Sequence, residues 1–237
     1  MKLSILVPAY NEDRTIAQLL AQLLALDIPT SQREIIVIDD GSRDATQEIL
    51  TSFGGSITVM VHPHNRGKGA AVRSGIARAT GEYIVVQDAD LEYDPHDILR
   101  MLAVAERDQL RVLFGSRRLP LDGSGRRHGA WRYYLGGILV TWCTNLLHGT
   151  HLTDEPTCYK MVRRDLLNRI PLNAEGFEFC PELTAKIARL GEPIGEIPIN
   201  YHPRTGAEGK KIRPRDGIIA VAVLLKYRFW RPERMPN

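Results

Sequence analysis

The chain has 237 residues, of which 43% are hydrophobic and 25% charged, and its formal net charge is +3. That balance excludes wholesale disorder and leaves room for one large domain or two small ones. A charge this small gives no ground for a nucleic-acid partner.

The first half alternates strand and helix signals. Leu3–Val7 is a short apolar run of strand type, stopped by Pro8 and then by Asn11 and Glu12, so it does not read as a signal peptide. Ile16, Leu19, Leu20, Leu23 and Leu24 follow at helical spacing. Ile35–Ile38 is a second strand, with a helix from about Asp44. Ile57–Val61 and Ala70–Ala79 give the third strand and helix, and Tyr83–Val86 the fourth strand. A continuous apolar run such as Tyr83–Val86 suits a strand covered on both faces. This order predicts an α/β fold, a mostly parallel sheet flanked by helices in a single domain.

The second half is less regular. Val112–Phe114 reads as a strand ending at Gly115-Ser116-Arg117, and 118–130 as a Gly- and Arg-rich loop. Helices are expected over Trp131–Leu147, Phe177–Leu190 and Arg215–Phe229, with a strand at Ile194–Ile199. Between Arg204 and Asn237 nine Lys/Arg face three Asp/Glu, leaving the preceding body slightly acidic. A basic tail of this kind suggests an anionic partner, phosphates or a membrane surface. Its longest apolar run, Ile218–Leu225, is far short of the ~20 residues a spanning helix needs. Cys143, Cys158 and Cys180 have neither redox nor metal spacing, which points to a reducing compartment.

Parallel sheets bind ligands beyond the carboxyl ends of their strands. There the sequence places Pro8-Ala9-Tyr10-Asn11-Glu12, Asp39-Asp40-Gly41-Ser42 and Asp88-Ala89-Asp90. Carboxylates crowded on one rim repel one another, and a cation or nucleotide relieves that. Asp-x-Asp suits Mg²⁺ or Mn²⁺, which take oxygen ligands and keep positions for phosphate. Glu92 could supply a third oxygen. Asp39-Asp40-Gly41-Ser42 reads either as a helix-capping turn or as a carboxylate facing a nucleobase or ribose. The run His64–Gly69 lacks the first Gly and the Ser/Thr of a phosphate loop, so a triphosphate hydrolase is not expected. Lys68 or Arg66 can still face phosphate at a helix start.

ILVPAYNE (5–12), EIIVIDDGS (34–42), NRGKGAA (65–71) and EYIVVQDAD (82–90) resemble, in order and spacing, the motifs of family 2 glycosyltransferases. Downstream, GSR (115–117), DEPTCYK (154–160) and YHPRTGAEGKK (201–211) are similar to the dolichyl- or polyprenyl-phosphate mannose synthase branch. The resemblance, over roughly residues 1–211, implies the GT-A fold for a domain at 1–213; the residues beyond it read as a basic amphipathic helix at 214–237 that could lie in a membrane interface. It further implies a nucleotide-diphospho-sugar donor and a metal-assisted inverting transfer of a hexose. Pro8, Tyr10 and Glu12 would line the nucleoside pocket, with Ile38 and Asp40 on the base side. Asp88, Ala89 and Asp90 would meet the sugar diphosphate and metal, with Glu92 as a further ligand. Arg117, Arg204 and Lys210 would grip donor or acceptor phosphates. Two departures, Ala207-Glu208-Gly209-Lys210 for Gly-Glu-Ser-Lys and Asp154-Glu155-Pro156-Thr157 for Asp-Leu-Thr-Gly, bear on sugar and acceptor.

An ionised lipid phosphate needs no protein base, whereas a hydroxyl acceptor does, with Asp154 and Glu155 the candidates. The lipid phosphate is expected, from the basic 204–215 segment, the Arg126-Arg127 loop and the apolar stripe Ile218, Val221, Ala222, Leu225. The alternatives are transfer to a hydroxyl of a cell-envelope glycan or small molecule, a non-catalytic sugar-nucleotide-binding subunit, and a sugar-1-phosphate nucleotidyltransferase. The last would want a Gly-, Arg- and Lys-bearing loop after the first strand, where Pro-Ala-Tyr-Asn-Glu stands. A cytoplasmic protein, peripheral on the membrane and with room for a membrane-protein partner, is the expected setting.

Overall fold

The computed structural model describes residues 1–120, 131–204 and 214–232. Seven strands form one sheet: β1 (Leu3–Ala9), β2 (Arg33–Asp39), β3 (Thr58–Val61), β4 (Tyr83–Val86), β5 (Val112–Ser116), β6 (Lys160–Arg163) and β7 (Gly195–Pro198). Their order is β3-β2-β1-β4-β6-β5-β7. All pairs are parallel except those of β6, which runs antiparallel to both β4 and β5. The mostly parallel α/β domain is thus as expected, with the GT-A architecture.

Eight α-helices are described: α1 (Ile16–Ala25), α2 (Thr46–Ser52), α3 (Lys68–Arg78), α4 (His96–Arg107), α5 (Trp131–His148), α6 (Arg164–Leu167), α7 (Phe179–Arg189) and α8 (Pro214–Tyr227). In α1 the stripe Ile16, Leu19, Leu20, Leu23 is the buried face, as its spacing requires. The β1 and β4 side chains are buried almost throughout, which is why their sequence shows no alternation. Three elements escape the sequence reading, α4, β6 and the single-turn α6. In α4 the apolar positions Ile98, Met101 and Ala105 alternate with charged residues that mask them. In β6, Lys160 interrupts the apolar run, yet it is buried against an ion-pair partner.

One large apolar core surrounds the sheet, with α3 packed on β1 and β2. A second, small cluster joins Val140 of α5, Ala185 of α7 and Ala220, Leu224 and Tyr227 of α8. The C-terminal helix therefore packs on α5 and α7. The stripe read from the sequence lies away from that contact: Ile218 is 75% exposed and Leu225 55%. Apolar residues encircle α8, and among the described residues one side packs on α5 and α7.

Candidate functional site

The carboxyl ends of β1, β2 and β4 lie side by side, because β1 pairs with both β2 and β4. Past these ends the chain is laced together by side chains. Asn11 N–H donates to Ser42 Oγ and Glu12 N–H to Thr46 Oγ1, both at 2.9 Å, and Arg43 N–H donates to Asn11 Oδ1. Gly41, at φ +73°, has the backbone of His64 and Asn65 where a Cβ would stand, so only glycine lets the two turns meet. Pro8 and Tyr10 are half-buried on this rim.

The two aspartates after β2 have different tasks. Asp40 accepts from the backbone N–H of Arg66 and of Gly67 and bonds the buried His62 ring at 2.6 Å. Its carboxylate thereby shapes the 65–67 turn. Asp39 is fully buried and accepts from Ser42 N–H through Oδ1, while its Oδ2 has no hydrogen-bond partner among the described residues. A buried carboxylate oxygen without a donor is costly, so Asp39, unlike Asp40, keeps acceptor capacity that the protein does not use. Sequence reading singled out Asp40; a doublet alone could not say which member the turn consumes. Ile38 lies inside the core against α3, where Gly75 leaves it space, so its side chain packs in the core and not on the rim.

Lys68 opens α3 and reaches across to Asp88, with Nζ 2.5 Å from Oδ1 and 2.9 Å from Cys158 Sγ. The Phe177 ring lies 5.6 Å from the same ammonium. Ala89 is buried between the two aspartates. Burial, and then the nearby charges of Asp88 and Glu92, push the Asp90 carboxyl up to about 7. This crowding is what a cation would relieve. Glu92 is already engaged: Oε1 accepts from Arg204 N–H at 2.7 Å and Oε2 from the Tyr201 hydroxyl at 2.8 Å. It fastens 201–204 over the rim. Arg204 continues that strap, donating Nε to the Asp90 carbonyl at 2.7 Å and placing its guanidinium 3.3 Å from Glu12. Among the described residues no group of three or more His, Cys, Asp or Glu forms a metal cage. Asp88 and Asp90 together suit an ion that keeps substrate phosphates as its other ligands.

Arg117 gives Nε and Nη2 to Asp154 at 2.7 and 2.8 Å and stacks over Tyr201, 5.0 Å from the ring centre. Asp154 is fully buried; against that burial, Arg117 and Arg118 hold its carboxyl below the usual carboxylate range. Glu155 is equally buried, 3.6 Å from Lys160 and bonded by Thr184. Neither side chain is exposed, and Glu155 Oε2, like Asp39 Oδ2, has no hydrogen-bond partner among the described residues. Lys210 and Arg126-Arg127 lie outside the described residues. Tyr201 and Cys158 were not legible as site residues, since each joins the rim only through a partner distant in sequence, Glu92 and Lys68.

The Glycosyl transferase family 2 model matches residues 4–170. A dodecaprenyl-phosphate galacturonate synthase of Rhizobium johnstonii is 30% identical over 86% of this chain and 60% of its own length. The chain thus spans less than two thirds of that relative. A dolichyl-phosphate beta-glucosyltransferase of Dictyostelium discoideum is 29% identical over 96% of this chain and 74% of its own. Among solved structures, glucosyl-3-phosphoglycerate synthase from Mycobacterium tuberculosis, in complex with Mn²⁺, UDP and phosphoglyceric acid, superposes with a TM-score of 0.71. It covers 98% of this chain and 80% of its own at 21% identity, a likeness of fold.

Proposed function

The chain belongs to glycosyl transferase family 2, and from that premise we propose that it moves a hexose from a nucleotide-diphospho-sugar to a polyprenyl or dolichyl phosphate. The observation that carries this reading is the fate of Asp154 and Glu155. Asp154 is buried with both oxygens bonded by Arg117, and Glu155 is buried beside Lys160, so neither carboxylate lies exposed for a hydroxyl acceptor to approach. A phosphate oxygen needs no such base. The names of the polyprenyl- and dolichyl-phosphate relatives agree with this acceptor.

In this reading Asp39 accepts from the nucleobase or ribose, and Pro8, Tyr10 and Glu12 border the nucleoside. Asp88 and Asp90 would hold a divalent ion, Mg²⁺ or Mn²⁺, which when bound neutralises charge on the departing diphosphate. Lys68 stands beside Asp88, where its ammonium would meet donor phosphate. Arg204, freed from Glu12, supplies a guanidinium that pairs bidentately with phosphate, and Arg117 adds positive potential from below. Arg204 and the Glu92–Tyr201 latch exclude water from the donor.

We further propose that the protein sits on a membrane through α5 and α8. Leu135, Leu139, Trp142 and Leu146 line the exposed side of α5; Ile218, Leu225 and Phe229 do so on and just past α8. These helices pack together, and Lys226 and Arg228 flank the apolar face. No helix among the described residues is long and apolar enough to cross a membrane; this arrangement suits lying on one. A thermal-shift panel of UDP- and GDP-sugars with Mn²⁺ should reveal the donor. Incubation of that donor with polyprenyl phosphate should then yield an EDTA-sensitive glycolipid. Donor turnover with a hydroxyl acceptor and none with polyprenyl phosphate would refute the acceptor assignment.

A further inference from the structure

Glu182 of α7 is fully buried, and its carboxylate accepts from the backbone N–H of Asn173 at 3.0 Å and of Ala174 at 2.6 Å. Lys186, one turn on and equally buried, donates to Glu182 at 2.6 Å and to the Pro171 carbonyl. A buried ion pair is a poor source of stability compared with apolar packing; what this one supplies is a fixed 171–175 segment.

That segment is the floor under the start of α3. Ala70 N–H donates to the Glu175 carbonyl at 3.2 Å and Arg73 to the Leu172 carbonyl at 3.2 Å. A Cβ on Gly69 would stand 2.5 Å from the Ala174 carbonyl oxygen, so turn and floor touch backbone to backbone. From this turn Lys68 reaches Asp88.

On its other side the pair is roofed by the C-terminal helix. Lys186 Nζ lies 4.2 Å from the Tyr227 ring centre and 5.5 Å from that of Trp230. Arg189 Nε donates to the Trp230 carbonyl at 3.0 Å. Against burial, Lys186, the two amides and the Tyr227 hydroxyl hold the Glu182 carboxyl below the usual carboxylate range. One continuous set of contacts thus runs from the end of α8 to the ammonium beside Asp88.

We propose that Glu182 and Lys186 are positioning residues through which the seating of α8 on α7 sets the place of Lys68, so that loosening Tyr227 weakens nucleotide binding although Tyr227 touches no nucleotide. This rests on reading the rim as a nucleotide-sugar site. Because α8 also carries the exposed apolar face, its seating links that face to donor affinity.

The test is calorimetric titration of UDP and of GDP, each with MnCl₂, into the full-length chain. Tyr227→Leu keeps an apolar residue on the second cluster and is expected to weaken the preferred nucleotide about fivefold. In a Lys68→Met background the same change is expected to add nothing, since both act through one ammonium. Glu182→Gln, which keeps one acceptor for the 173–174 amides, should fall between wild type and Glu182→Ala. Absence of nucleotide binding by the wild type overturns the functional reading and this inference with it. Binding by wild type and Tyr227→Leu alike overturns this inference alone, as does an equal fold-loss with and without Lys68. Should the Glu182 variants fail to fold by circular dichroism, the Tyr227–Lys68 pair decides by itself.

Discussion

Asp88 and Asp90 stand two residues apart and yet differ in surroundings. Asp88 has the Lys68 ammonium against it, while Asp90 is pressed by burial and by two carboxylates. Asp90→Ala removes the crowded oxygen that best suits a cation; transfer should fall at least about 10³-fold with an unchanged circular dichroism spectrum. Full activity in a folded Asp90→Ala protein would remove the metal reading. The other doublet separates just as sharply. Asp40 is consumed by His62 and two backbone amides, whereas Asp39 keeps a buried oxygen in reserve. Asp39→Asn is therefore expected to weaken donor binding about tenfold by titration calorimetry, the loss of one charge-assisted hydrogen bond. Unaltered affinity would mean that Asp39 is a turn residue only.

At the scale of elements, the site depends on how closely backbones approach. Gly69, in the first turn of α3, leaves no space above the Ala174 carbonyl. Gly69→Ala should cost about 1–3 kcal/mol of stability through overpacking, read as a lowered urea midpoint with an unchanged slope. The opposite end of the sheet is fastened by Glu34 of β2. Its carboxylate takes Ser4 Oγ from β1 and the N–H and hydroxyl of Thr80 from the turn before β4. Burial acts to raise its carboxyl, but these hydrogen bonds and Lys2 outweigh it and bring it from 4.5 to about 2. The folded protein thus holds that proton more weakly than the unfolded chain does. The associated stability is present above about pH 4.5 and is lost as pH falls toward 2. Glu34→Gln should accordingly lower the thermal midpoint at pH 7 and make little difference near pH 2. A gap between the two midpoints that stays constant with pH would show that Glu34 acts through packing rather than charge.

Across the whole molecule, one feature separates it from a protein closed on every side. The faces of α5 and α8 expose Leu139, Trp142, Leu146, Ile218, Leu225 and Phe229 together, while Leu224 and Tyr227 seal the second core beneath. Deleting 214–237 would uncover that core and confuse lost anchoring with lost folding. Trp142→Ser with Phe229→Ser touches only the exposed face, and should reduce sedimentation with anionic liposomes several-fold without lowering the thermal midpoint. Equal sedimentation by variant and wild type would show that this face meets something other than lipid. Much was readable from the chain alone. Six of the seven strands and the three polar clusters follow from apolar runs ended by Asp, Gly, Pro and Asn; the signature runs without alternation in the central β1 and β4, which are covered on both faces, and is weakest at the half-covered edges β3 and β7. The apolar character of α8 was legible too, but not which side is buried, because residues of that kind surround the helix. Nor could the sequence distinguish Asp39 from Asp40, assign Glu92 to Tyr201 and Arg204, or pair Asp154 with Arg117. These outcomes depend on which donor arrives from a distant element. Composition and periodicity dictate where the chain goes, whereas the partner of a buried charge is chosen only when the elements pack.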